Sequence, residues 1–282
     1  MSGDPLPGAL GDYGGDTQTV PLLPGSPAID AGDGATCLAT DQRGIGRVGT
    51  CDIGAFESQG FTLALASGNN QHQVPGLDFA TPLAVTVTNG YSEPVDGGQL
   101  LYTGPVGDAG TDPTIYTATV SGGVVTQTVT ANLALGGPYT VTARTRGAAP
   151  AIDFLLTNSC GDAITVTNNT DSSVGSLRWA VAYVCDGGII TFDAALENQT
   201  IVLTSGQIEI EKTVTIDGPG AAKLAVSGNN DSRVFDISAS GVGTRTARTV
   251  RDGQAGAGGA GIRNSGRRTL TEGGIASTPR QA

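Results

Sequence analysis

The chain has 282 residues, long enough for two or more domains. It carries a formal net charge of −11, with only 15% charged and 5% aromatic residues. Sparse charge and 44 Gly argue against charge-driven disorder and against long amphipathic helices, leaving turn-rich all-β structure. An acidic body argues against nucleic acid as a partner, because phosphate binding needs a basic face. No apolar run approaches the roughly 20 residues that span a bilayer, so direct membrane insertion by this chain is not expected.

Residues 1–58 read as a closing segment with neither helical nor strand period. Met1 to Pro5 has no basic or apolar region of a signal peptide, although the composition looks extracellular. The stretch Leu22 to Glu57, LLPGSPAIDAGDGATCLATDQRGIGRVGTCDIGAFE, is dense in Gly, Pro and Asp and holds Cys37 and Cys51. These cysteines, and Cys160 with Cys185 further on, form two local pairs without CxxC spacing. Two disulfides of an exported protein are expected, with buried free thiols as the alternative. Asp30, Asp33, Asp41, Asp52 and Glu57 have two open readings, as oxygen ligands for Ca²⁺ or as carboxylates bracing turns. The second is preferred because no EF-hand loop or repeated nonapeptide is present, so no cofactor is expected apart from that calcium candidate. Arg43 is an expected ion-pair partner of one of these carboxylates. The blocks LLPGSPAIDAGD, CLATDQRG and CDIGAFE resemble the C-terminal segment closing a parallel β-helix in bacterial choice-of-anchor and polymorphic outer-membrane-protein-like surface proteins. That resemblance implies that Met1 is not the natural start of a complete domain.

Residues 59–158 change to strand character. Phe61, Leu63 and Leu65 alternate with polar or small residues, as do Leu83, Val85 and Val87 before the Asn89-Gly90 turn. Leu100 to Tyr102, Ile115 to Val120, Val124 to Leu133 and Tyr139 to Ala143 supply further strands, enough for an Ig-like sandwich. The run ATPLAVTVTNGYSEPVDGG resembles Ig-like repeats of invasin/intimin type, which implies a spacer. Tyr91-Ser92-Glu93-Pro94-Val95 keeps the usual D-x-x-G-N-P-V core only in part.

Residues 159–238 open with a turn and a short helix that presents Leu177, Ala180, Val181 and Val184 on one face. Strand-length pieces follow from Ile189 to Ile237, separated by Asp217-Gly218-Pro219-Gly220 and Ser227-Gly228-Asn229-Asn230. The series from ITVTNNTDSSVGSLRWAV through GGIITFD and TIVLTSGQIEIEKTVTIDGPG to LAVSGNNDSRVFDI resembles the start of a right-handed parallel β-helix. That resemblance implies a helical cap on the first coil, with Leu177, Trp179 and Val181 as its structural plug. Residues 239–282 hold seven Arg against Asp252 and Glu272, with Thr and Arg where apolar alternation is wanted. A degraded or disordered tail is expected there.

The fold class expected is thus all-β: an Ig-like sandwich flanked by a β-helix closing segment and by the N-terminal cap and first coils of a second β-helix. The expected role is structural or adhesive, without catalysis, in a bacterial surface or secreted protein whose partner is an extracellular carbohydrate or protein. The alternative is a fragment of a secreted β-helical polysaccharide lyase or glycoside hydrolase, for which Asp217, Asp231, Asp236, Arg233 and Lys212 are the candidates. His72, the single histidine, sits in a polar run and is expected in a loop.

Overall fold

Short runs that alternate apolar with Thr, Ser or Gly favour extended backbone, and the chain is 39% strand and 4% helix in the computed structural model. The structure describes residues 4–239, 242–246, 249–256, 259–265 and 267–271. Two compact units divide it, Met1–Ser159 and Cys160–Ala282.

The first unit contains β1 (Thr62–Ser67), β2 (Gln71–Gln73), β3 (Leu83–Thr88), β4 (Gln99–Thr103), β5 (Thr111–Asp112), β6 (Ile115–Thr119), β7 (Val124–Gln127), β8 (Thr130–Ala131), β9 (Gly136–Arg144) and β10 (Ile152–Asn158). Strands β1, β3 and β7 form one antiparallel sheet. A second sheet runs β2-β10-β9-β4-β6, with only the β2–β10 pair parallel, and β5 pairs with β8. Period-two alternation turns one face of each sheet inward. Leu63, Val85, Val87 and Val125 meet Leu100, Tyr102, Val141, Phe154 and Leu156 in a shared core. Leu22, Ala28 and Ile29 of the opening segment join that same core, so the segment is packed rather than draped. Asn158, 1% exposed, stitches the connections: its amide donates to Gly110 O, Asn132 Oδ1 and Ala134 O, and its Oδ1 accepts from Tyr139.

The second unit is a parallel β-solenoid of about four turns. It contains β11 (Gly161–Val166), α1 (Leu177–Tyr183), β12 (Val184–Phe192), β13 (Gln199–Val202), β14 (Ile208–Ile210), β15 (Thr213–Asp217), β16 (Leu224–Ser227), β17 (Phe235–Ile237), β18 (Val242–Thr246), β19 (Thr249–Arg251), β20 (Ile262–Asn264) and β21 (Arg267–Thr271). Three parallel sheets run β11-β12-β15-β18-β21, β13-β16-β19 and β14-β17-β20. Like sits on like: Ile190 pairs with Ile216, Ile201 with Val226, and Ile208 with Phe235. All six are buried, so each coil extends one continuous apolar column, as solenoid stability requires. Strands β18 to β21 continue the stack into the segment expected as a degraded tail. The ladder is made by backbone groups, so a Thr- and Arg-rich run still supplies its donors and acceptors. The rest of that expectation, at 240–241, 247–248, 257–258, 266 and 272–282, lies outside the described residues.

The helix is short because its two ends are specified. Ser176 has extended backbone and its hydroxyl accepts from Trp179 N, an N-cap; Val184 then turns directly into β12. Leu177, Trp179, Ala180 and Val181 are buried, and the helix packs on β11, β12 and β14 at the start of the coil stack.

Candidate functional site

In the opening segment the turn-forming sequence gathers charge instead of apolar bulk. Arg43 is buried, and it pairs with Asp41 at 2.8 Å and with Glu93 at 3.5 Å. Its Nη2 donates to Glu57 O at 2.5 Å, and its guanidinium lies 3.6 Å from the centroid of the Phe56 ring. Arg47 pairs with Glu57 at 2.7 Å. Glu57 also accepts from the amides of Val48 and Asp52, while Asp52 accepts from the amides of Asp30 and Ser58. Burial raises the Asp41 carboxyl, yet the Glu57 amide, the Arg43 side chain and two further amides outweigh it and hold the group below its ordinary value. Burial pushes Asp52 up to about 6 against the opposing Ser58 and Asp30 amides, with the Glu57 and Asp30 charges adding to the rise.

The structure places the five calcium candidates as follows. Asp41, Asp52 and Glu57 spend both carboxylate oxygens on N–H donors, and Asp33 Oδ1 accepts from the Ala35 amide within its own turn. Asp30 is exposed and joins them through its backbone N–H. Among the described residues no group of three or more His, Cys, Asp or Glu is placed to hold a metal. Arg43 fulfils its expected pairing. Glu93 and Arg47 were missed, since nothing local in the sequence announces a contact from residue 43 to residue 93.

The two disulfides, Cys37–Cys51 and Cys160–Cys185, have Cα separations of 6.5 and 4.9 Å, and no cysteine is free. They mark a non-cytoplasmic, oxidising compartment. No helix among the described residues is long and apolar enough to cross a membrane.

In the solenoid, a groove of about 320 Å³ lies along β13, β16 and β19, lined by Asn198, Gln199, Thr200, Lys223, Thr249 and Arg251. Its cations are engaged: Lys223 pairs with Glu197 at 2.9 Å, and Arg251 donates to Thr200 Oγ1 at 2.9 Å. Two of the five residues considered for catalysis have their side chains in bonds to neighbouring groups. Lys212 donates its ammonium to Ala182 O and Val184 O, and Asp236 is bound by Arg263 and Gln207. Asp231 sits in a turn in which its amide bonds to Gly228 O, and Asp217 ends β15. The Arg263 hydrogen bond above all lowers the Asp236 carboxyl against its burial, and the charge of Arg233, which precedes β17, adds least. His72 is exposed and lies on β2 rather than in a loop, because the edge of β10 pairs with it.

A polar clamp holds the solenoid cap that sequence reasoning missed. Asp171 accepts from Thr204 N, Ser205 N and the Ser205 hydroxyl, and pairs with Arg178 at 2.8 Å. Burial raises its carboxyl, but these bonds win and bring it down to about 2. Arg178 in turn donates to Gln207 O and Gly206 O, tying α1 to the loop before β14.

No family model, curated protein or solved structure matches the chain.

Proposed function

We propose that this chain is a structural and adhesive module of a bacterial cell-surface or secreted protein, with no catalytic step of its own. Residues 1–58 serve in this reading as a β-helix closing segment, 59–158 as an Ig-like spacer, and the solenoid as a display surface for an extracellular carbohydrate or protein. The observation that carries the reading is the in-register stacking of three parallel sheets, which produces regular outward faces. Paired sheets with a common core support the spacer assignment. The choice-of-anchor and invasin-like resemblance of the sequence supports the bacterial surface assignment.

The test is binding without turnover. The purified chain, immobilised, is expected to retain cells or glycans in a saturable manner. The same preparation, incubated with acidic polysaccharide with and without Ca²⁺, is expected to leave its length distribution unchanged. Depolymerisation abolished by Asp217→Ala would overturn the adhesive reading in favour of a β-helical lyase or hydrolase.

A further inference from the structure

A groove of about 510 Å³ crosses the outer face of the five-stranded sheet in the first unit. It is lined by Gln99, Leu101, Thr117, Arg144, Thr145 and Arg146. The pleat explains why these residues meet. Leu100, Tyr102, Val141 and Ala143 face the core, so Leu101 and Arg144 face out. Thr117 on β6, Leu101 on β4 and Arg144 on β9 stand directly opposite one another, a row two strand spacings wide, or ~10 Å. Gln99 and Arg146 each lie two residues along from that row. The floor between them is fixed by Thr145 Oγ1 donating to Gln99 O at 2.7 Å and Gly25 N donating to Arg146 O at 3.2 Å. Gly25 is needed there: its φ is +88°, and a Cβ would stand 2.6 Å from Gln99 O.

Charge makes this groove more than a dent. The unit Met1–Ser159 holds four Lys or Arg residues, namely Arg43, Arg47, Arg144 and Arg146, in a segment rich in Asp and Glu. Arg43 and Arg47 are consumed by buried ion pairs. Arg144 and Arg146 have no ion pair among the described residues, and both line this one groove. Arg146 is steadied by donating to Ile29 O at 3.2 Å. Asp153, on the neighbouring strand, is held by Thr142 Oγ1 at 2.7 Å. The Arg144 guanidinium and the Arg146 N–H groups not bonded to Ile29 O therefore line a surface that otherwise offers the Thr117 hydroxyl, one amide and one leucine.

We propose that this groove binds the carboxylate-bearing sugars of an acidic glycan. Arg144 and Arg146 would take the carboxylates as forked donors, Gln99 and Thr117 the ring hydroxyls, and Leu101 the apolar sugar face. Its volume suits a small polar ligand, and a single leucine is too little apolar anchor for a protein hot spot. The choice of a glycan rests on the adhesive reading above, while the site itself lies in the unit otherwise assigned as a spacer.

The experiment is calorimetric titration of the full chain with a short oligogalacturonate, its methyl ester, a neutral oligogalactan, polyglutamate and inorganic sulfate. Binding of the oligogalacturonate is expected, falling about tenfold or more on methyl esterification and in R144Q and R146Q, since each loses a charge-assisted contact. R144K is expected to restore charge without the fork and to recover affinity only in part. Circular dichroism and melting of each variant confirm that the fold is intact. An R144Q/R146Q double variant that binds as tightly as the parent would overturn the site. Preference for polyglutamate, or sulfate binding as tight as the sugar, would overturn the glycan assignment. If these variants abolish oligogalacturonate binding while the immobilised parent chain retains neither cells nor glycan polymers, the groove stands and the adhesive reading falls. Unchanged cell binding by a double variant that no longer binds the sugar would place adhesion elsewhere and overturn this groove as its contact.

Discussion

Arg43 shows how a single side chain can replace a core. Its segment has little apolar bulk, so Asp41, Glu57 and Glu93 are brought together around one buried guanidinium. Removing one member of such a set strands the remaining charges. Arg43→Ala is expected to destabilise the first unit by roughly 3–5 kcal/mol, read as a shift in denaturant midpoint at unchanged slope. Two carboxylates carry opposite pH signatures. Asp171 is depressed to about 2, so its contribution is complete above the ordinary carboxylate value and is lost as pH falls through about 2. Asp52 is raised to about 6, so its contribution is complete below the ordinary value and is lost as pH rises through about 6. Carboxyl carbon titration by NMR is expected to give these two midpoints, and equal midpoints near 4 would refute the assigned environments. Asp171→Ala should cost the second unit about 1–3 kcal/mol, because Thr204 and Ser205 amides and Arg178 lose a charged acceptor.

At the scale of elements, the cap helix rests on local chemistry that the sequence displays openly. Leu177, Ala180 and Val181 share the buried face expected of them, the structure adds Ser176 as N-cap, and Val184, expected on the same face, instead opens β12. Ser176→Ala is expected to cost about 1 kcal/mol in thermal unfolding, with the helix retained because its apolar face still docks. Strand β10 was overlooked, although Phe154 and Leu156 alternate inward, because exposed Leu155 interrupts the pattern. The run from Val124 to Leu133, read as one strand, is two: β7 ends at Gln127, and β8 pairs with β5 instead. A period-two pattern shows that a segment is extended but not which neighbour will pair with it.

The whole molecule is two units, each with its own core and its own disulfide. Cys160 and Cys185 are 25 residues apart, so in the chain-entropy model Cys160→Ser with Cys185→Ser lowers the stability of the second unit by roughly 3.5 kcal/mol. The unfolding of the first unit, followed by an amide-exchange probe in β4, is expected to stay put. What the sequence by itself determined is whatever depends on neighbours along the chain. It determined the all-β class and the turns that separate strands, while the solenoid with its capped start came from a resemblance of motifs and the disulfides were one of two readings of the cysteine spacing. Gly, Pro and Asn turns, alternation and capping act over a few residues, so they are visible in one dimension. Only the tertiary structure decided that Arg43 reaches Glu93, that Asp171 clamps Ser205, and that Arg144 and Arg146 share a groove with Gln99 and Thr117. Those meetings depend on strand order and register, which are set by the packing of distant segments into a common core. A linear pattern of apolar and polar residues specifies the face each side chain takes but not the partner it finds there.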